Sequence, residues 1–444
     1  MAVWSTVSVT SVTEADRFDG DYYKPDDLEA IKLIGRNGGK PLASIVPLIL
    51  TGRTPNDYNE DGSLSVVRSG DLIAPLIYPT CGRSFLKADP SPDRVRLRRG
   101  DILISSIGMG SIGKISLVVD PTDLITVSEV TILRDAKIAP EFLFAYLSSS
   151  TGQAQIEREA TGATGQQHLL KSKLGRVLVP AVPSGIEPTL RDMLKRAYRR
   201  QEAGRVAYTE AEALLESALG LDKLDLTPRL FYERPYADVQ AAERFDAEYF
   251  QPRMQNLIAA LSRDGQIIAD VAKLAKRRFK ATPGTQFRYI EIADVTGSGT
   301  ADSKPVAGKE APSRATWIVK PGDIITTTVR PIRRLSAVIT DDQNGYVCSS
   351  GFAVLTPKAI APELLLVYLR LPLVCELLDL YTTASMYPAI STADLLKIPI
   401  ALPNDETCRE IVAKVRESFD ARREARRLLD EAKSIVEKAV LCER

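Results

Sequence analysis

The residues most able to do chemistry are Gly108-Met109-Gly110-Ser111-Ile112-Gly113-Lys114. Glycines at this spacing with a terminal lysine can cradle phosphate. A phosphate-binding loop also needs Ser or Thr after the lysine to hold magnesium, and a helix whose N-terminus faces the anion. Here Ile115 follows the lysine, and Ile115-Ser116-Leu117-Val118-Val119 reads as a strand. The motif therefore reads as a glycine-rich hairpin loop, able to face a ligand, rather than a nucleotide site. Methyl transfer to a flipped base would need an Asn/Asp-Pro-Pro-aromatic tetrapeptide. Asp89-Pro90 and Asp120-Pro121 lack the aromatic. Metal-dependent nuclease chemistry needs carboxylates and a lysine around a cation; Asp-x-Glu and Glu-x-Lys patterns occur here only in long helical stretches or loops. His168 is the one histidine, and the five cysteines are scattered without a Cys-x-x-Cys pair, which argues against zinc or a disulfide framework. No catalytic constellation emerges, and no metal or cofactor is expected on this chain.

A second kind of chemistry, recognition of nucleic acid, has better candidates. Basic clusters occur at Arg94, Arg96, Arg98 and Arg99, at Lys171, Lys173 and Arg176, at Lys276, Arg277, Arg278 and Lys280, and at Arg330, Arg333 and Arg334. Each alone is compatible with ordinary surface charge. Position favours function for the last, because Arg330–Arg334 occupies the slot of the glycine-rich loop in a second copy of the same pattern. Arginine can be bidentate to guanine, and glycine lets backbone approach phosphate or a base edge. Gly165-Gln166-Gln167-His168 is a further candidate, since glutamine suits adenine; its counterpart is Met386-Tyr387-Pro388-Ala389. The expected DNA contacts are Gly108, Lys114, Gln166, Gln167, His168 and Lys171 in the first half, and Arg277, Arg330, Arg333, Arg334 and Tyr387 in the second.

These candidates sit on a chain that repeats itself. Arg17-Phe18-Asp19-Gly20-Asp21-Tyr22-Tyr23-Lys24-Pro25 returns as Arg244-Phe245-Asp246-Ala247-Glu248-Tyr249-Phe250-Gln251-Pro252. Gly100-Asp101-Ile102 returns as Gly322-Asp323-Ile324 at an offset of 222 (323 − 101), and Ile138-Ala139-Pro140-Glu141 as Ile360-Ala361-Pro362-Glu363 at the same offset (360 − 138). Tyr146-Leu147 answers Tyr368-Leu369, and Thr161–Thr164 answers Thr382–Ser385. Landmarks in one order at a near-constant offset indicate a duplicated domain. Arg17 with Asp19, and Arg244 with Asp246, are expected to be ion pairs anchoring each domain to the long helices. Strands are expected at 102–106 and 115–119, helices near 141–150 and 363–370, a strand or ordered tail over 1–15, and exposed turn-rich loops at 51–64 and 297–313.

Each copy runs into a long amphipathic helix. The first spans Ser184–Gly220, with a capping box at Ser184 and Glu187 and a 4-3 apolar seam through Leu190, Leu194, Ala197, Tyr208, Ala211, Leu215 and Ala218. Gln201 and Gly204 fall in that seam and should weaken its middle. The second runs from an Asn404 N-cap to Val440 through Ile411, Val415, Ala425, Leu429, Ala432, Val436 and Ala439, interrupted by Ser418 and Arg422. Neither can bury its stripe alone; packed antiparallel they can. The expected fold is α+β, with two similar α/β domains at 1–183 and 221–403, separated by coiled-coil helices at 184–220 and 404–444 in a pseudo-twofold arrangement.

Composition agrees with an ordinary globular protein: 444 residues, 44% apolar, 26% charged, net charge +1. No overall field points to nucleic acid, so DNA binding would need local basic surfaces. There is no signal pattern and no run of ~18 apolar residues, and a reduced cytoplasmic setting is expected.

This assembly resembles the specificity subunits of type I restriction–modification systems, over nearly the whole chain. The resemblance is carried by the doubled Arg-Phe-Asp phrase, the Gly-Asp-Ile strand, the Ile-Ala-Pro-Glu helix start, the Thr-Gly segment and the two long helices. It implies two target-recognition domains, each reading half of a split double-stranded DNA site through the major groove. It implies helices that set the spacer and dock two modification subunits, which bind S-adenosylmethionine and methylate adenine. Restriction subunits would join to cleave unmodified DNA, and the chain itself would be non-catalytic. The alternative is a scaffold of a phage-defence complex without sequence-specific DNA contacts of its own.

Overall fold

The structure is a computed structural model and describes residues 5–55, 64–77, 84–86, 95–108, 111–162, 167–383 and 386–442. The chain forms two compact units, Met1–Gln201 with Arg423–Arg444, and Glu202–Arg422. Among the described residues no helix is long and apolar enough to cross a membrane.

The first unit is built on a five-stranded sheet in the order Leu48–Thr51, Val130–Arg134, Ile102–Ser105, Ile115–Val118, Leu76–Ile77. All neighbours are antiparallel except the last pair. Every residue of the two central strands is buried, because both faces are covered. Ile102, Ile104 and Leu133 pack with Phe142, Leu143 and Ile156 of the helices Pro140–Leu147 and Ser150–Glu159. Leu103 and Ile132 point the other way, into a core with Val66 and Ile125 of a three-stranded sheet. Burial on both faces explains why these strands read as continuous apolar runs instead of alternating ones.

The second unit repeats this plan. One of its two four-stranded sheets runs Ala272–Leu274, Phe352–Pro357, Ile324–Thr327, Ser336–Val338, all antiparallel. Its other sheet pairs Gln286–Ile290 in parallel with Val347–Ser349, as Leu64–Val67 pairs in parallel with Leu124–Thr126 in the first unit. Duplication of sequence is thus duplication of topology.

The doubled Gly-Asp is a structural device. Gly100 and Gly322 take left-handed φ values of 86° and 80°, which glycine adopts without a Cβ penalty. The following aspartates are buried. Asp101 accepts from the backbone of Arg98 at 2.7 Å and from Arg134 Nε at 2.9 Å and Nη2 at 2.6 Å, with both side chains 2% exposed. Asp323 accepts from the backbone of Lys320 at 2.8 Å and from Thr356 Oγ1 at 2.7 Å, and pairs with Arg277. Thr356 stands where Arg134 stands in the first unit (356 − 134 = 222), so the second unit brings its cation from a different place.

The long helices are Ile186–Leu219 and Asp405–Cys442. Within the first unit Leu190, Leu194 and Ala197 share a core with Leu429, Ala432 and Val436. Within the second, Tyr208, Ala211 and Leu215 share a core with Ile411 and Val415. There the segments run antiparallel: Lys414 reaches Glu210 at 2.6 Å and Ser418 reaches Gly204 O at 2.5 Å. The seams end on Leu219 and Val440 instead of Ala218 and Ala439, which are only partly buried. Asn404 caps the second helix through Thr407 N at 2.9 Å, and Gly220 (φ 69°) follows the first. The first helix is entered through Gly185 at φ 79°, so helical geometry begins two residues after Ser184.

The polar interruptions form a close approach. Ser418 is fully buried, and a Cβ on Gly204 would lie 2.9 Å from both Ser418 O and Arg422 Cγ. Gly204→Ala is expected to cost about 1–3 kcal/mol by forcing the helices apart, measured by thermal unfolding. A neutral or stabilising result would show that this contact can relax.

Three local expectations change. Val9–Ala15 is a helix, not a strand or tail, with Ser8 Oγ accepting from Ser11 N at 3.1 Å. The 297–313 stretch contains the strand Lys304–Ala307; residues 56–63 of the other loop lie outside the described residues. The ion pairs form, Arg17 to Asp19 at 2.6 Å and Arg244 to Asp246 at 2.7 Å, and in each the hydrogen bond to arginine leads in holding the carboxyl below its ordinary range. Their anchors differ from expectation. Arg17 donates to Arg158 O and Ala160 O, and Arg244 to Leu380 O, tying each segment to the end of a short helix instead of a long one.

Candidate nucleic-acid interface

In the first unit the Gly108–Lys114 loop joins the antiparallel strands Ile102–Ser105 and Ile115–Val118. It is a hairpin followed by a strand, without the helix a phosphate cradle requires. Met109 and Gly110 lie outside the described residues. Gly108 has φ 116° and Gly113 φ 79°, so the tip uses backbone shapes closed to most residues. Gln153 Nε2 donates to Gly113 O at 3.0 Å and holds the return arm.

The loop meets the second candidate segment. Gly108 N donates to Gln167 O at 3.3 Å, Leu169 N to Ser106 O at 2.8 Å, and Ile107 forms an isolated bridge with His168. His168 is also paired through its backbone with Thr161, N to O at 2.7 Å and 2.9 Å. Gln167 is exposed and His168 half-buried. Lys171 is exposed at the start of the short helix Lys171–Leu174, and Lys114, half-buried, closes the hairpin through its backbone. Gln166 lies outside the described residues.

The second unit joins the matching segments. Val329 bridges Ala389, Ile390 N donates to Thr328 O at 2.9 Å, and Arg330 N donates to Pro388 O at 2.8 Å. Arg330 Nη2 reaches Met386 O at 3.3 Å, and its guanidinium lies 5.5 Å from the Tyr387 ring centroid. Arg330 and Arg333 are exposed, Tyr387 is 68% exposed and Ile332 48%. Arg330 and Arg334 have φ values of 50° and 60°. Left-handed non-glycine residues cost on the order of 1–3 kcal/mol each and persist where the surroundings hold them.

What holds this loop is a clamp beneath it. Arg334 Nε donates to Arg370 O at 2.6 Å, and Arg370 Nη1 returns to Arg334 O at 2.8 Å. Arg334 pairs with Glu212, and Arg370 Nε donates to Tyr208 Oη at 2.8 Å. Arg370 is 3% exposed, and its remaining bonds go to Ser336 O and Gly297 O. Both arginines therefore hang from one face of the long helix, at Tyr208 and Glu212. Arg334 thus supports the loop from below, where the sequence had placed it among the base contacts. Arg277, half-buried, is likewise committed to partners within the unit, Asp323 and Ile318 O at 3.0 Å. Sequence reasoning missed Arg370, whose only signal was a lone arginine ending an apolar helix.

The two loop pairs present backbone and amide groups in one unit, and arginine, aromatic and aliphatic groups in the other, on one duplicated scaffold. Such surfaces suit base edges and phosphates. A curated relative, the Type I restriction enzyme HindI specificity subunit of Haemophilus influenzae, is 24% identical over 149 residues. The chain is similar to type I specificity subunits. That match spans 33% of this chain and only 32% of the relative's length. No protein-family model matches. Among solved structures, the HsdS subunit from Thermoanaerobacter tengcongensis is 18% identical, covering 90% of this chain and 95% of that one with a TM-score of 0.29. The S subunit of a type I restriction–modification system from M. genitalium is 14% identical, covering 90% and 94% with a TM-score of 0.37.

Proposed function

We propose that this chain is the DNA-reading subunit of a type I restriction–modification assembly, each unit recognising one half of a bipartite double-stranded site. The observation that supports this most is the paired loops. In both units the hairpin after the Gly-Asp strand joins the segment that follows the repeated Thr motif, and the exposed side chains differ. In the first unit Gly108 and Gln167 offer close backbone approach and an amide; in the second, Arg330, Arg333 and Tyr387 offer bidentate and stacking contacts. The chain carries no catalytic residues in this reading and binds no cofactor itself. Two modification subunits supply S-adenosylmethionine-dependent adenine methylation, restriction subunits supply cleavage, and the complex works in the cytoplasm.

The long helices act as the ruler, holding half-sites about one helical turn apart. Adding one heptad to both should lengthen the spacer by about 10 Å, or about three base pairs, with the half-sites unchanged. Methylome mapping of a host with and without the altered gene reads this directly. An unchanged spacer would remove the ruler, and a wild-type chain that leaves no bipartite methylation pattern and binds DNA without sequence preference would leave a scaffold as the better reading.

A further inference from the structure

The hairpins after the two Gly-Asp strands are held from below by different elements. In the first unit the support comes from the body of the α/β domain. Gln153, on the helix Ser150–Glu159, donates from Nε2 to Gly113 O at 3.0 Å and to Leu147 O at 2.8 Å. In the second unit the support comes from the long helix Ile186–Leu219. Glu212 takes Arg334, and Tyr208 Oη accepts from Arg370 Nε at 2.8 Å. The reciprocal guanidinium–carbonyl bonds between Arg334 and Arg370 close the clamp. At the offset of 222 the first copy has Ile112 and Ser148 in place of these arginines (334 − 222 and 370 − 222). Neither carries a cation, so that copy cannot form the same clamp.

Where the clamp acts matters for recognition. Arg330 and Arg334 bound the loop, and both are left-handed. The Arg330 end is fixed by its N–H on Pro388 O at 2.8 Å; the Arg334 end is fixed by the clamp. Between them Ile332 and Arg333 are exposed. A left-handed arginine returns to ordinary backbone shapes once its surroundings release it. The Arg334 end would then swing and carry Arg333 and Arg330 with it. A bidentate contact needs its fork placed to within about 0.5 Å and about 10–20°, so a loosened loop reads less sharply with every contacting side chain still present. Attraction to phosphate is independent of sequence and should persist. Burial makes the helix face a firm support: Tyr208 is 4% exposed and Arg370 3%, so water does not compete for the bond between them.

We propose that Tyr208 and Glu212 of the long helix, acting through Arg370 and Arg334, are positioning residues for the second half-site alone. They touch no base and hold the loop whose arginines do. This rests on the functional reading above. It makes the two readers unequal: sharpness of the second depends on the long helix, and sharpness of the first on Gln153 of its own domain.

The test uses the full chain and duplexes that the wild type selects from a randomised library, with one half-site changed at a time. The half-site that Arg330→Ala relaxes is the second. Tyr208→Phe removes one hydroxyl and Glu212→Leu one carboxylate. Each should lower discrimination at the second half-site by about three- to tenfold, part of the roughly 5- to 150-fold that a bidentate contact supplies. Discrimination at the first should stay at the wild-type value. Glu212→Gln keeps an acceptor for Arg334 and should restore most of the loss, and Gln153→Ala should loosen the first half-site only. Tyr208→Phe should bind DNA that lacks the site as the wild type does, with the same salt dependence, since no phosphate contact is removed. In the free chain, hydrogen exchange should quicken at the Arg333 and Arg334 amides, which bond Arg330 O and Pro331 O. Unaltered exchange in Tyr208→Phe and Glu212→Leu would overturn the proposal. So would wild-type discrimination at the second half-site in both, or equal losses at the two half-sites, which general destabilisation would give. Each of these results leaves the functional reading standing; a wild-type chain that selects no sequence would overturn both.

Discussion

Arg134→Met will cost the first unit about 3–5 kcal/mol, the expected penalty for stranding a buried carboxylate. Arg134 supplies two hydrogen bonds to Asp101, at 2.9 Å and 2.6 Å, and a third to Arg96 O at 2.5 Å. Both partners are 2% exposed, so water cannot take the place of the guanidinium. Against a typical domain stability of about 5–15 kcal/mol this is a large fraction. Hydrogen exchange should locate it. Protection should fall in Ile102–Ser105 and Val130–Arg134 and persist in Ile324–Thr327 of the other unit. Arg277→Met should cost less, because Arg277 is 28% exposed and Asp323 keeps Thr356 and the Lys320 amide. Equal losses from the two substitutions would contradict this account of the paired carboxylates.

Arg330→Ala will lower affinity for DNA by about 1–3 kcal/mol, roughly 5- to 150-fold, if the side chain reads a base. The loss should appear as relaxed discrimination at one half-site. Duplexes altered in one half-site at a time separate the outcomes. Equal weakening on every sequence would make Arg330 a phosphate contact, and equal loss of discrimination at both half-sites would refute independent reading. Tyr387→Ala should share the phenotype more weakly, since the ring flanks the guanidinium at 5.5 Å and remains 68% exposed. The backbone should stay in place, because the loop is tied at Pro388 and clamped through Arg334 and Arg370.

The duplication, the hairpin nature of the glycine loop, the Asn404 cap and most of both helical seams were legible in the chain, because each is a local or strictly periodic signal. The convergence of loop pairs was not. Gly108 with Gln167 and Arg330 with Pro388 are contacts across about sixty positions, and nothing in either segment names its partner. Arg277 and Arg334 looked like their neighbours because composition does not reveal which cation is already paired; the carboxylates that claim them, Asp323 and Glu212, lie far off in the sequence. Val9–Ala15 is rich in valine and threonine, which disfavour helix, yet Ser8 caps it and helix wins. Lys304–Ala307 carries Pro305, which reads as a loop; the strand lies at a sheet edge, where proline is tolerated.

The two buried aspartates bear on how such chains can be recombined. Asp101 finds its positive charge on the neighbouring strand, at Arg134; Asp323 meets threonine there and draws its charge from Arg277. Grafting Phe352–Pro357 in place of Val130–Arg134 would therefore orphan one anion, and the reciprocal chimera would crowd two cations, the grafted arginine and Arg277, onto the one carboxylate of Asp323. Exchanges should succeed only when crossovers fall outside the whole α/β body, so that each acid travels with its own base. Viable new combinations would then arise by shuffling entire modules, and single-strand mosaics would be lost to misfolding.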